Sequence, residues 1–159
     1  MFKKGDMAVY PGHGVGKIKK IEKQMVAGEE HAFYVMEVRD TSMTVMIPVA
    51  TSEKVGLRAI ISADDVLEVF KILNMKDVEI VAQPWNQRYR EYMEKIKSGS
   101  VYEIGSVLRD LFVLTETKDL SFGERKMLDS ARTLLVSEIA LANAITEDEV
   151  TEQIESIFA

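Results

Sequence analysis

The chain has 159 residues, 47% of them apolar, and its 20 Lys+Arg against 26 Asp+Glu give a formal charge of −6 at pH 7. That size and composition suit one ordinary domain or two small ones, and exclude collagenous, disordered and membrane-spanning classes. There is no Cys and only two His, His13 and His31; disulfides, thiol nucleophiles and cysteine-based metal centres are excluded, and a His-based metal site would need carboxylates for most of its ligands.

The opening MFKKGD lacks an apolar signal core, and no uncharged stretch approaches the roughly 20 residues needed to cross a bilayer. A cytoplasmic location is therefore expected. From Asp6 to Ile61 the pattern has the period of strands. Ala8-Val9-Tyr10, Val15 to Ile21, Phe33 to Val38 and Met43 to Val49 are rich in Val, Ile, Tyr and Phe and are separated by Gly-bearing turns. A fifth strand reads from Val55 to Ile61. Alternation places Phe33, Val35 and Glu37 on one face, with Tyr34, Met36 and Val38 on the other. Five short strands in about 60 residues predict a small, strongly bent antiparallel sheet or barrel.

Within this half, Gly12-His13-Gly14-Val15-Gly16-Lys17 invites a phosphate-loop reading, but Ile18 stands where a magnesium-binding hydroxyl belongs and the loop leads into a strand. A Gly-permitted turn fits better. His31, beside Glu29 and Glu30, is accounted for by a polar hairpin as well as by a ligand cluster. The run Met43-Thr44-Val45-Met46-Ile47-Pro48-Val49 is apolar on both faces. It can be a buried strand, or an edge strand, since Pro48 cannot donate to a ladder; an edge could accept a strand from another protein.

From Ser62 onward the period is helical, with helices predicted near 63 to 73, 84 to 97, 101 to 113, 122 to 143 and 147 to 157. Ser100 with Glu103, Ser121 with Glu124, and Thr146 with Glu149 each fit a capping box. Pro84 suits a first helical turn and Gly99 a helix end. Residues 74 to 83 read as a connection. The expected organisation is α+β, with a barrel over 1–62 and a helical domain over 63–159 that includes the first helix, the connection and an acidic tail.

Charge is unevenly placed. Residues 138 to 159 hold six carboxylates and no Lys or Arg, which accounts for the whole imbalance. Between Pro84 and Lys97, Arg88, Arg90, Lys95 and Lys97 face only Glu91 and Glu94, so a local basic face is compatible with an acidic chain. Trp85, the sole Trp, is followed at helical spacing by Tyr89, Tyr92, Met93 and Ile96. This stripe fits a core. The alternative is an exposed Trp flanked by cations, the composition that stacks or wedges against nucleotides while holding phosphates. Phe122, followed by Arg125 and Lys126, poses the same choice, with a staple for its helix as the alternative. No nucleophile with a recognisable base stands out, so an enzyme is not expected.

Phe2-Lys3-Lys4-Gly5-Asp6, Val9-Tyr10-Pro11, His13-Gly14-Val15-Gly16, the MTVMIPV strand, Val55-Gly56-Leu57-Arg58, Trp85-Asn86-Gln87-Arg88-Tyr89-Arg90 and Leu120 to Leu128 together resemble the CarD/CdnL family of bacterial transcription regulators. The first part alone also resembles the polymerase-interacting domain of the transcription-repair coupling factor. The resemblance implies a Tudor-like barrel that binds the β subunit of RNA polymerase, and a compact helical domain that contacts promoter DNA. Polymerase-facing positions would be Met36, Met46 and Pro48, with Gln24 and Val26 on the neighbouring strand. DNA-facing positions would be Trp85, Arg88, Arg90, Arg125 and Lys126, with Met93 and Phe122 as an apolar patch. No cofactor, metal or small-molecule substrate is implied. An adaptor that binds polymerase without touching DNA is the alternative, and would leave Trp85 buried.

Overall fold

The structure, a computed structural model, describes residues 1–80 and 84–159. The chain divides into two compact units, Met1–Ile60 and Ile61–Ala159. Residues 81–83, the end of the expected connection, lie outside the described residues.

The first unit contains β1 (Met7–Tyr10), β2 (Gly14–Val26), β3 (Glu29–Val38), β4 (Thr44–Pro48) and β5 (Arg58–Ala59), with one turn of 3-10 helix at Val49–Thr51. All pairings are antiparallel, in the order β4-β3-β2-β1-β5. The sheet curls around Ala8, Ile18, Tyr34, Met36, Ile47 and Leu57. It is barrel-like without closing, because β4 and β5 are its two edges. The edge position of β4 accommodates Pro48, which has no N–H to offer a further strand.

The β2–β3 hairpin extends to Val26 and Glu29, well past the strand ends at Ile21 and Phe33 expected from apolar alternation. Its outer arm is exposed on both faces, so alternation carries no signal there. The arm is closed by Ala27 and Gly28, with φ of +52° and +84°. Two successive positive φ values are those of a type I′ turn, whose twist matches the strands it joins. Near its base, a register shift between Ile18 and Lys20 bulges β2 and adds local bend. A Cβ on Gly16 would overlap the Met36 side chain and lie 2.8 Å from the Glu37 carbonyl oxygen. Glycine here lets the thioether fill the core directly over the strand.

The second unit contains α1 (Ala63–Asn74), α2 (Trp85–Lys97), α3 (Val101–Leu114), α4 (Phe122–Asn143) and α5 (Glu147–Phe158). The reciprocal capping box forms at Ser121/Glu124 and Thr146/Glu149, and also at Ser62/Asp65. At Ser100 the side chain accepts from the Glu103 N–H without the box. Pro84 is the N-cap of α2 and not its first turn. Gly99, with φ +75°, ends that helix in the left-handed region. One core, centred on Val69, Leu73, Leu108, Leu111, Leu135, Ile139 and Ile154, joins the helices.

Candidate functional site

Two surfaces stand out, one in each unit. On the sheet, Met46 opposes Val35, and Pro48 opposes Phe33; on the next strand Val35 opposes Lys20, Phe33 opposes Glu22, Gln24 opposes His31 and Val26 opposes Glu29. Directly opposed residues share a face and alternate residues return to it. Met46, Pro48, Gln24 and Val26 therefore lie on one side of the sheet, all exposed, with half-buried Phe33 between them. Gln24 and Val26 sit on the projecting arm, two strands away from β4 rather than beside it.

Met36 does not belong to this face. It opposes Ile18 and Val45 and is fully enclosed, so its side chain supports the sheet from inside and presents nothing to a partner. The position that backs Met46 on the outer face is Val35, which alternation along β3 sets on the opposite side from Met36.

In the helical unit, the starts of α2 and α4 meet. A Cβ on Gly123 would lie 3.1 Å from Trp85 Nε1 and 3.3 Å from its Cζ2. The indole thus rests against the α4 backbone, half-buried, and Tyr89 stands edge-on to it with ring centroids 5.8 Å apart. Met93 is half-buried and packs against the core. Phe122 is 79% exposed, which rules out the staple role. Its ring lies 5.4 Å from Lys126 Nζ, within cation–π range. Phe122, Arg125 and Lys126 fall three and four residues apart on the outer stripe of α4, while Met127, Leu128 and Ala131 point into the core. Arg90 is exposed, but five residues beyond Trp85 it lies about 140° around the helix from it.

Arg88 departs from the expectation of a DNA-facing cation. Its side chain is only 11% exposed and Nη1 donates to Glu124 Oε2 at 3.2 Å. Glu124 is 2% exposed and accepts two further hydrogen bonds on Oε1, from Lys118 Nζ at 2.8 Å and from the Ser121 N–H at 2.9 Å. Burial by itself would raise the Glu124 pKa; the hydrogen bonds from Lys118 and Ser121 and the Lys118 charge outweigh it and hold the carboxyl below its ordinary value. Arg88 therefore ties α2 to α4 and positions Trp85. Burial, then the nearby Asp110, pushes the Tyr92 hydroxyl up to about 12, so the ring contributes no charge. Glu124 was legible as a capping residue, but its pairing with Arg88, 36 residues earlier, has no local signal.

The first unit thus has an open sheet edge beside exposed Met46 and Pro48, and the second an aromatic corner bordered by cations. Among the described residues no group of three His, Asp or Glu is placed to hold a metal, and no helix is long and apolar enough to cross a membrane. The family model for the CarD-like/TRCF RID domain matches residues 2–61, and that for the CarD C-terminal domain matches residues 68–155. YdeB of Bacillus subtilis (strain 168), which carries the name of a transcription factor, is 37% identical over 158 residues, covering 94% of this chain and 97% of its own. A solved structure, CdnLNt from Myxococcus xanthus, is 50% identical and covers 39% of this chain and 87% of its own, with a TM-score of 0.34. The chain belongs to the CarD/CdnL family. Its class is that of transcription factors associated with RNA polymerase.

Proposed function

We propose that the first unit binds the β subunit of RNA polymerase through the β4 edge and the face bearing Met46 and Pro48. The second unit, 61–159, contacts promoter DNA at the upstream edge of the melted region and thereby stabilises the open complex. The observation that carries the DNA half is the corner where α2 and α4 start, with Trp85 against Gly123, Phe122 exposed, and Arg125 and Lys126 on the same outer stripe. Aromatic groups unstack or cap a disrupted base step, and cations hold the phosphates beside it.

Binding to polymerase raises the local concentration of the helical unit at the DNA, so weak contacts become effective there. The acidic overall charge keeps the affinity for free DNA low. If the contact exists in the open complex and is absent from the closing transition state, each ~1.4 kcal/mol of it slows bubble collapse about tenfold. Shape and the melted state are read in preference to base sequence. Such a protein works in the cytoplasm, on the nucleoid through polymerase, and needs no cofactor.

One observation favours the adaptor reading: Trp85 packs partly against the helical core. The two separate with Trp85→Ala. The DNA-contacting protein then shortens open-complex lifetime relative to wild type while still co-purifying with polymerase; an unchanged lifetime would leave the adaptor.

A further inference from the structure

Beside Trp85 lies an open cleft of about 420 Å³ whose lining includes Ile80, Trp85, Arg88, Leu114, Lys118 and Glu124. Two cations and one carboxylate leave it with a net positive charge. The two cations differ in what they can still reach. The Arg88 side chain is 11% exposed and turned to Glu124, whereas that of Lys118 is 47% exposed. An ammonium carries three donors, and Glu124 Oε1 takes one of them at 2.8 Å.

We propose that Lys118 is a further DNA-contacting residue: Glu124 holds its ammonium at the mouth of the cleft beside Trp85, where it takes a backbone phosphate as the indole engages the DNA. The inference rests on the DNA-contacting reading above and adds to it a cation outside both helices. The anchoring matters energetically. A free lysine gives up rotamer freedom to hold a phosphate, but one already fixed by a buried carboxylate has less to lose. The division of labour is then between Arg88, which closes the corner from inside, and Lys118, which faces out of it. Nothing in the local sequence advertises this, because Glu116 and Asp119 flank Lys118 and make the segment look acidic.

The test uses the full chain with polymerase holoenzyme on promoter DNA, following open-complex lifetime across a series of KCl concentrations for wild type, Lys118→Gln, Lys118→Arg and Trp85→Ala. Lys118→Gln is expected to shorten the lifetime about threefold, the scale of one half-exposed ionic contact. It should also reduce the log–log salt dependence contributed by the protein by about 0.9, the loss of one phosphate contact. Lys118→Arg should restore both, and thermal unfolding of Lys118→Gln should stay close to wild type. A wild-type lifetime and salt slope for Lys118→Gln, with Trp85→Ala still shortening the lifetime, overturns the assignment of Lys118 alone. So does a shortened lifetime with an unchanged slope, which would mark a purely structural lysine. If Trp85→Ala is silent as well, the DNA-contacting reading fails and this inference with it.

Discussion

Glu124→Gln is the sharpest structural test of the corner. The substitution keeps the shape and the capping bond to the Ser121 N–H, and removes the one charge that two cations share. Lys118, half-exposed, turns to solvent at little cost. Arg88, 11% exposed, loses the carboxylate charge that its Nη1 meets at 3.2 Å and keeps its other contacts. Breaking a buried pair costs about 3–5 kcal/mol; with one partner partly hydrated and the hydrogen bonds partly kept, the expected loss is about 2–3 kcal/mol. For a unit of about 100 residues, this lowers Tm by roughly 10–20 °C. Trp85 is the only Trp and lies in this unit, so its fluorescence follows the transition without interference from the sheet. Because the Glu124 pKa is lowered in the folded state from an ordinary 4.5, its contribution is fully present above that value and is lost as pH falls through the folded pKa. The gap between wild type and variant should therefore narrow below pH 4.5. A variant that melts within about 3 °C of wild type, the equivalent of less than about 1 kcal/mol, would show that the trio is an ordinary screened surface contact, and would refute the positioning role of Arg88.

Met46→Glu places a charge on the exposed sheet face and should abolish retention of polymerase in a pull-down, with the fold of the sheet intact by circular dichroism. Met36→Ala, by contrast, should destabilise the first unit by about 2–5 kcal/mol through the cavity it leaves; a Met36→Ala protein of wild-type stability would contradict the enclosed placement. Gly123→Val puts a branched side chain where 3.1 Å separates a Cβ from the indole, so it should red-shift Trp85 emission and shorten open-complex lifetime together; an unchanged emission spectrum would mean that the indole does not rest on α4.

Much of this architecture is written locally. The helix starts at Ser121 and Thr146 are announced by a side chain and its partner three residues on, and the sheet core by alternation in Tyr34, Met36 and Val38. What was not legible depends on distant pairings. Alternation already set Met36 and Val35 on opposite faces, but which face meets Met46 is decided by the register of β4 on β3, and this moves Met36 from the expected interface into the core. The outer hairpin arm hid because a two-stranded ribbon exposed on both sides has no apolar period to read. Arg88 looked like a free cation beside Trp85 because its partner Glu124 is contributed by another helix. Lys118 is hidden for a different reason: its partner is only six residues on, but Glu116 and Asp119 beside it make the segment read as acidic.

The most direct measurement of the central claim is photo-cross-linking from position 122, whose native ring is 79% exposed. Phe122→p-benzoylphenylalanine would be assembled with polymerase holoenzyme on promoter DNA and the adducts mapped. The account predicts adducts to DNA at the upstream boundary of the melted region, formed in the presence of polymerase and lost when Met46→Glu is added to the same chain. Adducts confined to protein, with none to DNA in an open complex that retains the factor, would contradict it.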